Sequence, residues 1–173
     1  MLQTLSQYES IREKLLREIQ GLSEQQLNWR ADDSSWSIAQ VVEHICKVED
    51  SVLPLLSLGL AQSPEFKQRD LPLQQLIPDR STKVQAPSGL EPANRMWTYD
   101  SLISLLNERR HRTVTVLTGF TDTPLLSVTS PPYPHPVFGP LSTGQWMESI
   151  PLHELRHIHQ IEELKERMDE NEG

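Results

Sequence analysis

Cysteine is scarce in this sequence, where Cys46 is the single example among 173 residues. One cysteine cannot form an internal disulfide, and such scarcity is typical of proteins from a reducing compartment. Long apolar runs are also lacking, since no stretch approaches the roughly 18 apolar residues that a membrane-spanning helix requires. The N-terminal segment has neither the basic start nor the apolar centre of a signal peptide, and its pattern predicts a helix. We therefore expect a cytoplasmic protein with no membrane partner.

Positive charge is in short supply as well. The chain has 16 Lys and Arg against 24 Asp and Glu, a formal charge of −8 and a pI near 5.2. Nucleic-acid binding needs a concentrated basic surface, so we expect no nucleic-acid partner. With 36% hydrophobic and 23% charged residues, the composition is that of a globular protein. Its length fits one domain, residues 1–173, and the partners we expect are a small molecule and a second copy of the chain in a homodimer.

Four long segments have hydrophobic side chains at helical spacing, and no run of residues has the alternation typical of a strand. Capping boxes mark two of the helix starts, Ser37 with Gln40 and Ser142 with Gln145, and Thr98 is the expected N-cap of another. Three predicted helices span residues 3–20, 99–119 and 142–169. Another begins at Ser37 and extends to the first long connection.

The connections over residues 59–97 and 120–140 are long and rich in proline. Neither has a sustained period, and the prolines of the second should prevent a helix there. Loops of this length are usually functional or mobile in a compact domain. The predicted fold is therefore an all-α four-helix bundle with long loops between helices 2 and 3 and between helices 3 and 4.

The segment PLHELRHIHQ, residues 151–160, contains three histidines on the fourth predicted helix. At about 100° per residue, His153 and His157 fall in the middle of its apolar stripe, whereas His159 falls on the solvated side. Two buried imidazoles one turn apart need partners, because an unpaired buried polar group costs about 1–3 kcal/mol. Hydrogen bonds to neighbouring groups would serve, and so would one metal ion bound by both rings.

A third candidate ligand lies on the second predicted helix, in the segment SIAQVVEHICKVED. His44 is on the flank of the apolar stripe, whereas Glu43 is nearly opposite it and is expected to be a solvated charge. Cys46 is displaced from His44 by about 160° and is expected to be a small buried hydrophobe. With His153 and His157, His44 would complete a three-nitrogen set that leaves a coordination position open.

A di-iron site is the competing metal hypothesis, because ferritin-like bundles use Glu-x-x-His motifs on two helices. The sequence contains two such pairs, Glu108 with His111 and Glu154 with His157. Helical phase places Glu108 and His111 opposite the apolar face of the third helix. They are expected to point to solvent, so a di-iron site is not expected.

Three stretches of the chain resemble the DinB-like superfamily: LSEQQLNWR, WSIAQVVEHICKVE and HPVFGPLSTGQWMESIPLHELRHIHQIEELK. The resemblance spans essentially the whole chain and implies a four-helix bundle that binds one divalent metal ion. Carried over by position, it nominates His44, His153 and His157 as the ligands. It also implies a choice of activities, since similar proteins include thiol S-transferases, thiol-dependent maleylpyruvate isomerases and proteins described as metal-dependent hydrolases.

Zn, Ni, Fe(II) or Co would suit an all-nitrogen site. We expect transfer of a low-molecular-weight thiol to a small electrophile, because no inward carboxylate is available as a general base for hydrolysis. Hydrolysis of a small ester or amide and metal binding without catalysis are the alternatives.

Polar side chains that interrupt the apolar stripes could line the cavity beside the metal. Arg12, Arg110 and Thr113 have such positions, and the arginines would suit an anionic substrate. The alternative is that the arginines pair with acidic neighbours inside the bundle. His135, just before the fourth helix, could also reach the site.

Overall fold

The described residues of the computed structural model, 2–61, 65–120 and 123–172, contain helices and no strand, which confirms the all-α prediction. The helices are α1 (Leu2–Ile19), α2 (Glu24–Asn28), α3 (Ile38–Leu60), α4 (Leu73–Leu76), α5 (Tyr99–Thr118), α6 (Thr123–Val128) and α7 (Thr143–Glu172). Within the same ranges, no helix has the length and apolar character needed to cross a membrane.

The predicted caps mark the starts of the long helices. Ser37 accepts a hydrogen bond from the Gln40 N–H and completes a capping box, and Thr98 caps α5. Before α7, the Ser142 N–H donates to Gln145 Oε1 over 3.0 Å, and the Gln145 N–H donates back to Ser142 Oγ over 3.1 Å. Each cap satisfies N–H groups that have no partner inside the first helical turn, so these helix boundaries follow from local sequence.

Both long connections contain a short helix. Helix α4 lies in the first, and α6 lies in the proline-rich second connection, where we expected none. That expectation was wrong because Pro124 is the second residue of α6. Proline is tolerated in the first turn of a helix, where its missing N–H would have no helical acceptor.

Helix α7 packs between α1 and α3, and α3 also packs against α5. Helices α3 and α7 run antiparallel. Gly59 in the last turn of α3 lies against Thr143 at the start of α7, while His44 contacts His153 and His157 nearer the opposite end. The three histidines therefore lie between these two helices, part of the way along their length.

Four charged side chains, one from each long helix, form a buried cluster at the centre of the bundle. They are Arg12 of α1, Glu49 of α3, Arg110 of α5 and Glu154 of α7. The Arg12 guanidinium contacts Glu154 at 2.6 Å and Glu49 at 3.0 Å, and Arg110 also binds Glu154. Two positive and two negative charges compensate one another away from water, which ties all four helices to one arrangement.

Candidate metal centre

Three histidine rings converge between α3 and α7. The ring centroid of His44 lies 5.2 Å from that of His153 and 4.8 Å from that of His157. The centroids of the two α7 rings, His153 and His157, are 4.4 Å apart. One ligand nitrogen from each ring lies within 4.8 Å of the other two. The i, i+4 spacing on α7 places its two rings on one face, and the antiparallel packing of α3 brings the third ring to the same point.

Hydrogen bonds orient two of these rings. His44 Nδ1 lies 2.7 Å from the Leu90 carbonyl oxygen, and His157 Nδ1 lies 2.8 Å from Gln160 Oε1. Each acceptor requires Nδ1 to carry the proton, so Nε2 is left with its lone pair. Carbonyl and amide oxygens in this position are the usual outer partners of metal-binding histidines.

Burial keeps the three rings neutral. It lowers the pKa of His44 below its usual value and lowers that of His157 to about 3. The pKa of His153 is also well below the usual range, because the ring is buried and lies beside His157 and His44. Metal ions bind the neutral form of imidazole, so the environment favours the ligand state.

The nitrogen geometry fits one ion. His153 Nε2 and His157 Nε2 are 3.1 Å apart. Two nitrogens that each bind an ion at about 2.1 Å lie roughly 3.0–3.4 Å from one another at octahedral or tetrahedral angles. No fourth histidine, cysteine or carboxylate of the described ranges joins the cluster. Three ligands are typical of sites that keep a position open for water or substrate. The cluster is therefore compatible with metal binding.

The histidines border a cavity of about 1010 Å³. Residues 76–90 of the first long connection and residues 135–138 of the second contribute to its walls. His135 is among these residues. The rings of Phe138 and Trp146 flank it, with centroids 4.8 and 5.1 Å away. Both connections thus form part of the candidate site.

Arg12, Arg110 and Thr113 do not line this cavity. The first two point inward as expected, but they meet the carboxylates of Glu49 and Glu154 rather than the histidines. Thr113 is fully buried. The alternative that the arginines pair with acidic neighbours is therefore what the structure contains, and the cavity-lining expectation is corrected.

Two carboxylates expected on outer faces are buried. Glu43 is 4% exposed and accepts hydrogen bonds from Trp97 Nε1 at 3.2 Å and from the Ala93 N–H at 3.3 Å. Lys47 pairs with the same carboxylate at 3.1 Å. Glu154 is 1% exposed, in the charged cluster of the bundle. Helical phase gave their angles correctly, but the loop before α5 covers one and α1 with α5 covers the other.

The remaining candidates lie as expected. Cys46 is buried, and burial raises the pKa of its thiol to about 12, so it is a packing residue. Glu108 and His111 are exposed, which excludes them from a di-iron site. His159 is half-buried and is not part of the histidine cluster.

Sequence reasoning missed the partners of the histidines. Gln160 could have been found, because it lies three residues after His157 and one helical turn brings such side chains together. Leu90 could not, since its carbonyl reaches His44 only through the path of a long loop. Trp36, whose ring centroid lies 5.0 Å from that of His44, also lines the cavity.

Comparison with known proteins agrees with this architecture. The Bacillus subtilis (strain 168) protein YuaE, described as uncharacterized, is 29% identical over 165 residues, which cover 95% of this chain and 99% of YuaE. Two solved structures share the fold, each with a TM-score of 0.60. One is TT2238, a four-helix bundle protein, at 19% identity over 92% of this chain and 96% of TT2238. The other is YfiT from Bacillus subtilis, described as a probable metal-dependent hydrolase with an unusual four-helix bundle topology, at 22% identity over 96% of this chain and 86% of YfiT.

A family model gives the classification. The model of the DinB superfamily matches residues 7–161, which include all three histidines of the cluster and the four long helices apart from their outer ends. The chain therefore belongs to the DinB superfamily.

Proposed function

We propose that this protein holds one divalent metal ion with His44, His153 and His157 and transfers a low-molecular-weight thiol to a small electrophile. The observation that carries the proposal is the convergence of the three rings at the wall of a cavity of about 1010 Å³. Drug-sized ligands occupy pockets of about 300–1,000 Å³, so this cavity has room for a thiol and an electrophile together.

The reaction joins the thiol sulfur to an electrophilic carbon. The leaving group departs with its electron pair, and the thiol proton passes to solvent. A bound divalent ion would supply an open position at which the pKa of a thiol falls. The nucleophile comes from a co-substrate, because Cys46 is buried with a raised pKa. Leu90 and Gln160 hold the His44 and His157 rings in the tautomer that ligation needs.

Hydrolysis is the second candidate, and the description of the structural neighbour YfiT as a probable metal-dependent hydrolase favours it. Activation of water for hydrolysis usually requires a general base within hydrogen-bond reach. Among described residues, the carboxylates that line the cavity are already engaged: Asp32 with Ser34, Asp79 with Ser81, and Glu163 with Arg80. Thiol transfer does not need such a base, so we place it first.

The experiment compares thiol conjugation by three proteins, wild type, His157→Ala and the matched control His159→Ala. Each is loaded in turn with Zn, Ni, Fe(II) or Co and incubated with a chlorodinitroarene and several low-molecular-weight thiols. We expect metal-dependent conjugation by wild type and His159→Ala, and none above background by His157→Ala. Hydrolysis of ester or amide substrates that depends on His157, without conjugation, would replace the transferase by the hydrolase. If neither conjugation nor hydrolysis depends on His157, the better account is a bundle that binds metal without catalysis.

A further inference from the structure

The cavity extends in two directions from the histidines. On α3 its lining residues follow His44 toward the C-terminus, as far as Leu55. On the antiparallel α7, lining residues before His153 lie toward the same end, and those after His157, as far as Arg167, lie toward the other. At 1.5 Å per residue, Leu55 and Arg167 are each about 15 Å from the histidine on their own helix. We name the two parts the α3 lobe and the α7 lobe.

Uncharged and mainly apolar side chains form the α3 lobe. Its walls are Val48, Val52 and Leu55 from α3 and Trp146 and Ile150 from α7. Val137 and Phe138 of the second long connection lie over it, and the described lining residues of this lobe include no Asp, Glu, Lys or Arg. A charged group placed here would lose hydration without gaining a side chain of opposite charge, so the lobe disfavours charged ligands.

Charged side chains dominate the α7 lobe. Arg80 and Glu163 form a two-pronged ion pair with both contacts at 2.8 Å, and Arg80 also contacts Gln160. Arg167 approaches Asp32 at 3.5 Å at the outer end. These groups are compatible with a polar ligand. The contrast with the α3 lobe indicates that the two directions serve ligands of different character.

Part of the apolar surface at the cavity mouth faces water. Val137 is 52% exposed and Leu76 of α4 is 42% exposed, and both line the cavity. Each exposed apolar side chain is unremarkable alone, but an apolar ligand arm in contact with either would remove apolar surface from water. Burial of each methylene of that arm contributes about 0.8 kcal/mol.

His135, which lines the cavity beside Val137 and Phe138, offers a hydrogen-bond donor. The Val137 and Phe138 N–H groups approach His135 Nδ1 at 3.2 and 3.3 Å, so Nδ1 is the acceptor and Nε2 carries the proton. A two-way backbone bridge between His135 and Gly139, at 2.8 and 2.9 Å, closes this turn. Gly139 has a φ of +69°, a conformation that favours glycine. The ring is thereby fixed with an N–H that can meet an acceptor beside an apolar arm.

We propose that the electrophilic substrate has an uncharged apolar arm of about eight carbon atoms, seated in the α3 lobe, while the polar thiol occupies the α7 lobe. The length follows from the roughly 10 Å of helix between Val48 and Leu55. This inference rests on the proposed metal-dependent function and names its substrate class.

The first experiment measures binding rather than turnover. Zinc-loaded protein is titrated by calorimetry with n-alkyl hydroxamates from two to ten carbons, whose shared head group binds zinc. We expect the dissociation constant to fall about two- to fourfold per added methylene and to level off near eight carbons. Leu55→Gln and Val137→Ser should flatten this dependence. Leu58→Gln is the matched control, because Leu58 is 44% exposed on the same helix and does not line the cavity.

A second measurement uses metal-free protein and the fluorescence of neutral N-phenyl-1-naphthylamine. Binding by wild type and Leu58→Gln, and weaker binding by Leu55→Gln, is the expected result. Absence of acetohydroxamate binding would refute the metal site. The naphthylamine result would still show whether the α3 lobe binds a neutral apolar ligand. A flat chain-length series with naphthylamine binding insensitive to Leu55→Gln would overturn the apolar-arm assignment, whatever the thiol-transfer assay gives.

Discussion

His157 faces both other histidines of the cluster and bonds to Gln160. His157→Ala should abolish stoichiometric metal binding, because two remaining nitrogens hold a divalent ion weakly. His159→Ala and His111→Ala should retain one metal ion per chain. Metal content of the purified, reloaded proteins, measured by elemental analysis, checks this. Equal losses in all three variants would show that the cluster is not the binding site.

Gln160 is expected to act through His157. Gln160→Ala removes the acceptor for the Nδ1 proton, so the ring loses its fixed tautomer and orientation. Metal affinity should fall about 10-fold or more, the usual effect of losing such a partner. Competition with a chromophoric chelator gives the affinity, and the exposed Gln25→Ala is the matched control. A change of less than about twofold would mean that the amide does not position the ring.

Individual residues differ in how far the sequence could place them. The histidines could be found because their positions depend only on helical phase and on the packing of two long helices. Glu43 and Glu154 lie on helix faces away from the main apolar stripe. Helical phase does not indicate which other parts of the chain cover those faces. A loop residue, Trp97, and two other helices bury them. Burial from long-range contacts is the part that sequence could not give.

Among the helices, α7 has an internal proline whose consequence is visible in α1. Pro151 has no N–H, so the Met147 carbonyl four residues earlier lacks its helical donor. The Tyr8 hydroxyl of α1 donates to that carbonyl over 2.5 Å in the buried core. This hydrogen bond holds α1 against α7 less than two helical turns from His153.

Tyr8→Phe should lower the free energy of unfolding by about 1–3 kcal/mol, because it leaves the buried carbonyl unpaired. In a Pro151→Ala background a helical N–H can replace the hydroxyl, so the same substitution should cost less. Urea unfolding of the wild type, both single variants and the double variant gives the coupling between the two sites. Equal costs of Tyr8→Phe in both backgrounds would show that the two residues act independently.

Helix boundaries were predictable where a cap defines them and unpredictable in the connections. Ser37, Thr98 and Ser142 fix the starts of α3, α5 and α7 through contacts within one turn. Helix α6 depends on tertiary packing, since it lies against α7 and the Thr129 carbonyl accepts from the Thr143 N–H at 2.8 Å. Short helices of this kind are not stable alone, so local pattern gives little sign of them.

At the scale of the whole molecule, the buried charges make the stability of the bundle sensitive to a substitution that removes one charge. Glu154→Gln keeps the shape of the side chain but leaves Arg12 and Arg110 with one compensating carboxylate, that of Glu49. Breaking a buried pair costs about 3–5 kcal/mol, so we expect a loss of that order in chemical unfolding. The exposed Glu166→Gln is the control. Metal stoichiometry should stay at one, since Glu154 does not line the cavity, and its loss in a folded variant would contradict this placement.

The stability of the metal-free protein should depend on pH through its buried histidines. Burial lowers the pKa of His44 and His153, and lowers those of His135 and His157 to about 4 and 3. In the unfolded chain these rings titrate near about 6.5. As the pH falls from about 6.5 toward 4, the unfolded chain binds more protons than the folded one, so the free energy of unfolding decreases.

Each such ring contributes up to about 1.4 kcal/mol per pH unit within this window, which lies mostly above the range where carboxylates titrate. Urea unfolding in the presence of a chelator, at several pH values between 7.5 and 5, measures the slope. His135→Gln should reduce it by about one ring's share, because glutamine takes up no proton. His111→Gln should leave it unchanged, since His111 is exposed.

Zinc should raise stability most at pH 7.5 and progressively less on acidification, because protons compete for the ligand nitrogens. A slope near zero, or one equally reduced by His111→Gln, would contradict the burial of the neutral rings on which the candidate metal centre depends.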